Sequence, residues 1–221
     1  MDRIEDTFHR QAFTMVSRLG PQAQGWLLRR YFDWWHRRPD PWRLASSTQE
    51  RQKYVKVLDA VPDRTFGRVL DVGCSEGTFT GLAAERYPEA EVIGVDLSAR
   101  ALLRARAQRR PNMRFFAMNL LEEAPPGRFD LVFCCEMLYY TGSSSALRSG
   151  AERLRELLTP GGLLVVSHPW PQAHRLHAPL HRDTGLTLWS GQVDRTGSQT
   201  FAIDVFGRTA DVSADLAMSV T

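Results

Sequence analysis

The stretch that decides the fold is Val69-Leu70-Asp71-Val72-Gly73-Cys74-Ser75-Glu76-Gly77-Thr78. An apolar run with the character of a buried strand (Arg68 to Val72) enters a turn bounded by glycines, and a helical pattern follows from Thr78 to Tyr87. Glycine at both ends lets the backbone take positive φ and pass close beneath a ligand. The helix that follows presents unpaired amides at its N-terminus. Asp96 ends the next strand, Glu91 to Asp96, about 20 residues further on, where an acid can hold ribose hydroxyls.

Working outward, the alternation continues. Ser98 caps a helix running to about Arg109, Met113 to Met118 and Phe129 to Cys135 read as strands, and Ala146 to Leu158 as a helix. Pro160-Gly161-Gly162 stops that helix, and Leu163 to Ser167 forms a fifth strand. Beyond His168, the Pro- and His-rich segment from Pro169 to His181 has room for a short helix. Leu186 to Trp189 and Phe201 to Phe206 read as two closing strands. Strands alternating with helices specify parallel βαβ units with right-handed crossovers. The expectation is an α/β, Rossmann-like, doubly wound and mostly parallel seven-stranded sheet.

Residues 1–62 contain no alternating strand. Phe8, Ala12, Met15, Val16 and Leu19 recur at helical spacing until Gly20-Pro21, and a second helix spans about Gln24 to Arg37. Ser46-Ser47-Thr48 caps a third, Gln49 to Leu58. The chain therefore divides into an N-terminal helical lid (residues 1–62) and a core (residues 63–221).

Composition sets the limits. Of 221 residues, 43% are apolar and 24% charged, enough for a packed core, and the formal charge is only +3. Lys53 and Lys56 are the only lysines, so almost every cation is an arginine. A balance this close to neutral gives no reason to expect a nucleic-acid partner, and Arg100, Arg104, Arg106, Arg109 and Arg110 read as a solvated helix face. Cys74, Cys134 and Cys135 lack disulfide or zinc-knuckle spacing and suit a reducing compartment. No apolar signal core follows Met1 and no run is long enough to span a bilayer, so the expectation is a cytoplasmic chain without a membrane partner. Oligomeric state leaves no mark in the sequence.

Three readings of the glycine loop compete. A dinucleotide site needs the middle glycine of G-x-G-x-x-G, which is missing. A serine hydrolase is suggested by Gly73-Cys74-Ser75-Glu76-Gly77, a literal G-x-S-x-G elbow, but that fold places several strands before its nucleophile. An S-adenosylmethionine site accounts for Asp71, the loop and the Asp96 spacing together.

The segment Val69 to Gly77 resembles the first motif of class I S-adenosylmethionine-dependent methyltransferases, with Ser75 in place of the commonest central glycine. Val95-Asp96-Leu97-Ser98 resembles their second motif, and Pro160-Gly161-Gly162-Leu163-Leu164 the approach to their fifth strand. Trp34-Trp35, Asp40-Pro41-Trp42, Glu50, Lys53-Tyr54 and Glu136-Met137-Leu138-Tyr139-Tyr140 add a narrower likeness to the nodulation protein S family, which N-methylates an amine on a chitooligosaccharide precursor. The resemblance implies that Gly73, Cys74, Ser75 and Gly77 cradle the methionine moiety and that Asp71 orients its amino group. Asp96 would then hold the ribose, Leu97 would pack beside the adenine, Leu120 would supply a backbone amide to the ring, and Asn119 would stand for the usual aspartate facing the adenine amine. Trp42, Lys53 and Tyr54 are candidates for the methionine carboxylate or the substrate entrance.

Methyl transfer is an in-line displacement with a neutral leaving group, so alignment and exclusion of water matter more than acid catalysis. Glu136, Tyr139 and Tyr140 follow the fourth strand and His168 ends the fifth, all at the ligand-binding edge. Glu136 can bind an ammonium or take a proton, the tyrosines can line an acceptor pocket, and His168 is the best-placed of six histidines for a general base. Small-RNA 2′-O-methyltransferases carry a Glu-x-x-Glu-His metal cluster at this place; the tyrosine pair here cannot replace it, so no metal is expected. The expected function is methyl transfer from S-adenosylmethionine, yielding S-adenosylhomocysteine, to an amine or hydroxyl of a small-molecule acceptor such as an amino sugar, glycoside or specialised metabolite. An RNA or protein methyltransferase, a non-catalytic cofactor-binding subunit and a serine hydrolase using Ser75 stay open.

Overall fold

The computed structural model describes residues 19–197 and 199–209, together with Phe13 and Val16. The helix expected over Phe8 to Leu19 lies largely outside them. Helices α1 (Pro21–Trp35) and α2 (Thr48–Asp59) precede β1 (Arg68–Val72), α3 (Thr78–Arg86), β2 (Glu91–Asp96), α4 (Ala99–Ala107), β3 (Met113–Ala117) and β4 (Phe129–Cys135). A 3-10 turn (Leu138–Thr141), α5 (Ser144–Glu156), β5 (Leu158–Pro169), α6 (Gln172–Arg182), β6 (Leu186–Asp194) and β7 (Phe201–Arg208) complete the order.

The seven strands form one sheet in the order β3-β2-β1-β4-β5-β7-β6. The first five run parallel, and β7 inserts antiparallel between β5 and β6. The chain winds outward from β1 to β3 and returns to β4 beside β1. The carboxyl ends of β1 and β4 therefore open the crevice where such sheets bind ligands.

Successive strand residues alternate between two cores. Val69, Val92, Leu131, Phe133 and Val165 face α2, α3 and α4, meeting Val57, Phe79 and Leu102. Leu70, Ile93, Val132, Leu164 and Val166 face α5 and α6, meeting Leu154, Leu176 and Leu180. Serine caps start three helices: Ser47, Ser98 and Ser143 each accept the backbone amide three residues on.

The Pro- and His-rich segment forms an 11-residue helix despite Pro179. Ala173, Leu176, His177 and Leu180, spaced three and four apart, supply its buried face. Strand β5 begins at Leu158, ahead of Pro160-Gly161-Gly162, because Leu158 already pairs with Phe129 and a register shift absorbs the glycines. Helix α2 belongs to the sheet-packing layer, since Tyr54, Val57 and Leu58 lie in the main core. Among the described residues, no helix is long and apolar enough to cross a membrane.

Candidate active site

The glycine loop takes the conformation its residues allow. Gly73 and Gly77 both have φ of 81°, and Ser75 has φ of 51°. Positive φ favours glycine at both positions, and a Cβ would also be crowded, 3.1 Å from Met137 Cγ at Gly73 and 3.0 Å from Phe115 Cζ at Gly77. The amides of Gly73 and Cys74 donate to Val95 O at 2.8 and 3.0 Å. Asp96 pins the loop from the next strand, accepting Ser75 N at 2.9 Å through Oδ2 and Ser98 N at 2.8 Å through Oδ1. Burial pushes its carboxyl up despite these two donors. The Cys74 side chain turns towards β2, where a Cβ on Gly94 would meet its Sγ at 2.9 Å. Only its backbone belongs to the loop surface.

The N-terminal segment is tethered to this loop through Glu76. Its Oε1 lies 3.0 Å from His36 Nδ1 and accepts from Arg104 Nη1 at 2.9 Å. The Asp40 amide donates to both carboxylate oxygens at 3.2 and 3.1 Å. His36 is buried, with Nε2 3.4 Å from Ser75 Oγ, and Arg104 also donates to its carbonyl. Asp33 in α1 accepts from Ser98 Oγ at 2.7 Å. Sequence reasoning missed His36, Glu76 and Asp33, and it read Arg104 as part of a solvated helix face, whereas Arg104 is half-buried and binds Glu76 and the His36 carbonyl. The available hint was a charged residue inside a tight glycine turn, which needs a partner.

Ser75, His36 and Glu76 line up like a hydrolase relay, yet the surroundings argue against that use. The Ser75 amide is already given to Asp96, and the Asp96 carboxylate beside it would repel an oxyanion. The elbow also follows the first strand of the sheet, whereas a hydrolase fold places several strands before its nucleophile.

On the other side of the crevice, β4 ends at Glu136, a non-glycine residue with φ of 55°. Its amide donates to Ser167 O at 2.9 Å. Lys53, buried on α2, places Nζ 3.0 Å from Glu136 Oε1 and 2.7 Å from Glu50 Oε2. Burial alone would lower the lysine, but the Glu136 and Glu50 charges hold it above its usual range. Burial raises Glu136, opposed by Lys53. The Tyr139 hydroxyl donates to Glu136 Oε2 at 3.3 Å. Tyr140 meets Phe13 and Phe32 edge-on at 5.0 and 4.9 Å, so its ring belongs to an aromatic cluster with Trp42 and Leu97.

The structure changes the expected role of His168. It is fully buried, its Nε2 accepts from Leu138 N at 3.1 Å, and its Nδ1 faces His177 Nε2 at 2.9 Å. His177 Nδ1 in turn faces Asp204 Oδ2 at 2.8 Å. A backbone amide can only donate, so His168 carries its proton on Nδ1 and has no free lone pair for a substrate. Burial holds it well below the ordinary histidine range. It fixes the backbone of the turn carrying Tyr139 and Tyr140 rather than acting as a free base.

Four further expectations change in detail. Tyr54 is buried against Phe79 at 5.2 Å, in the core and away from any entrance. Lys53 is committed to two carboxylates, which removes it as a free cation for the methionine carboxylate. Asp71 is buried and accepts from Thr80 Oγ1 at 2.6 Å; burial pushes its carboxyl up to about 7. Asn119 Oδ1 accepts from Leu121 N at 3.2 Å, and its Nδ2 reaches Glu122 Oε2 at 3.0 Å beneath Gly25 of α1. Leu120 is buried beside it and Trp42 packs edge-on to His36 at 4.9 Å.

Residues 69–162, which include the glycine loop and Asp96, match the model of a methyltransferase domain family. The chain is similar to nodulation protein S. It is 30% identical to nodulation protein S of Rhizobium tropici over 57% of this chain and 53% of that protein. The solved N-methyltransferase NodS of Bradyrhizobium japonicum, in complex with S-adenosyl-L-homocysteine, matches the fold with a TM-score of 0.73 at 22% identity, covering 81% of this chain and 97% of that one. Trans-aconitate 2-methyltransferase of Deinococcus radiodurans is 38% identical over 53% of this chain and 43% of that protein. The chain spans about half the length of these two sequence relatives.

Proposed function

We propose that the chain transfers a methyl group from S-adenosylmethionine to an amine of a small molecule, with a hydroxyl as the second acceptor. The observation that carries the choice is Lys53 held between Glu50 and Glu136. Two carboxylates against one ammonium leave the acceptor side with a net negative charge, which attracts an ammonium and repels a carboxylate. This reading sides with the nodulation protein S relatives over the trans-aconitate enzymes and suits an amino sugar or amino glycoside.

The residues fit the cofactor. The loop at Gly73 and Gly77 presents backbone without Cβ atoms, and Asp96 sits at its rim with carboxylate lone pairs suited to ribose hydroxyls. Leu97, Asn119 and Leu120 supply an apolar edge and an amide for the adenine. Bound there, S-adenosylmethionine supplies an electrophilic methyl on a sulfonium. Glu136 then takes the proton that an incoming ammonium must lose before its nitrogen can attack. Its raised carboxyl is a better proton acceptor than an ordinary glutamate. Tyr139 orients the carboxylate, and the aromatic cluster around Tyr140 keeps water out.

The test is transfer of labelled methyl from S-adenosylmethionine to parallel panels of amino sugars, neutral glycosides and polycarboxylates. Amines should be methylated, and Glu136→Gln should lower turnover by about 100-fold or more, the scale of a positioned proton acceptor. Equal methylation of polycarboxylates, or full activity of the glutamine variant, would overturn the assignment.

A further inference from the structure

Charge on this nearly neutral chain is unevenly placed. Residues 19–39 and 97–118 carry ten arginines against a single acid, Asp33. These segments contain α1 and α4 with the turns that follow them and β3, and the two helices pack together where Asp33 meets Ser98 and the Arg100 amide. Arg29, Arg30, Arg37, Arg38, Arg100 and Arg106 are exposed, and among the described residues none pairs with a carboxylate.

Large apolar side chains stand among them. Trp26, Trp34 and Leu103 are 59%, 54% and 67% exposed. Trp26, Arg30 and Trp34 recur every four residues along the outer stripe of α1, while Gln24, Leu28 and Phe32 point inward. Arg30 lies over Trp26 at 5.2 Å and Arg37 over Trp34 at 4.9 Å. Tryptophan beside arginine on one helix stripe suits the boundary between headgroups and acyl chains, where the ring meets apolar carbon and the guanidinium meets phosphate.

We infer that the outer face of α1 and α4 docks on an anionic phospholipid surface. Charge complementarity selects an anionic partner, and the apolar anchors select lipid over nucleic acid. Each tryptophan already has an arginine over its ring, and Leu103 offers nothing for a base to stack on. In sequence these arginines read as a solvated face with no membrane partner, and Trp26 and Trp34 as packing residues at helical spacing; the structure instead leaves both tryptophans more than half exposed beside the arginines. The inference is independent of the methyl-transfer proposal and needs no acceptor to test.

Purified full chain is sedimented with vesicles of phosphatidylcholine alone and of phosphatidylcholine mixed equally with phosphatidylserine, with tryptophan emission recorded. Binding should require phosphatidylserine, fall as salt rises, and shift emission to the blue. Arg30→Glu with Arg37→Glu should weaken partitioning by at least about 30-fold. Trp26→Ser with Trp34→Ser should weaken it by at least about tenfold and abolish the blue shift, with circular dichroism unchanged because both side chains are exposed. No preference for the anionic vesicles, equal partitioning of both double variants, or displacement from vesicles by single-stranded RNA at lower concentration than by soluble phosphoserine would each overturn the inference.

Discussion

Replacing His168 with leucine tests the buried relay. Leucine approximates the volume of the imidazole, so the change removes hydrogen bonding more than packing. It orphans the Leu138 amide, which donates to Nε2, and His177 Nε2, which faces Nδ1. Both groups are buried, and each unsatisfied polar group costs about 1–3 kcal/mol, giving a loss of about 2–6 kcal/mol. Urea unfolding followed by circular dichroism at pH 7.5 measures it directly. The pH dependence separates this cause from simple misfit. Folded His168 resists protonation, whereas in the unfolded chain it titrates near 6.5. Its contribution is therefore complete above pH 6.5 and lost as pH falls, by up to about 1.4 kcal/mol per unit. His168→Leu should lack that component, so the two unfolding curves should converge on acidification. A loss below about 1 kcal/mol at pH 7.5, or parallel pH profiles, would refute the reasoning.

Asp96→Ala should weaken S-adenosylhomocysteine binding by well over tenfold in calorimetry, above about 1.4 kcal/mol, because it removes the ribose partner and frees the Ser75 and Ser98 amides. Unchanged affinity would take Asp96 out of the cofactor site. Ser75→Ala should leave methyl transfer largely intact and lose only the 3.4 Å contact to His36. Loss of all turnover, together with ester hydrolysis by the unaltered chain, would revive the hydrolase reading.

The fold was legible because its signals are local. Strands β1, β2 and β4 match their sequence bounds residue for residue, since each is a short apolar run closed by a turn. Ser47 and Ser98 mark helix starts for the same reason. The site was legible only where it is local too, in the glycine loop and Asp96. Its remaining contacts join residues far apart in the chain: His36 to Glu76, Lys53 to Glu136, His177 to Asp204. Spacing rules carry no information about such pairs. His168 shows the limit best. Its place at a strand end was readable, but the amide and the second histidine that occupy it come from a 3-10 turn and from a helix whose regularity the proline obscured.

Glu136 occupies a backbone region where glycine would be more comfortable by roughly 1–2 kcal/mol. The chain keeps a glutamate there and holds it like a loaded spring, clamped by the Ser167 carbonyl at one end and Lys53 at the other. Severing the lysine clamp would let the residue relax and swing its carboxylate out of reach of a bound amine. A substitution at Lys53, which itself need never touch substrate, should therefore silence the site as thoroughly as one at the glutamate.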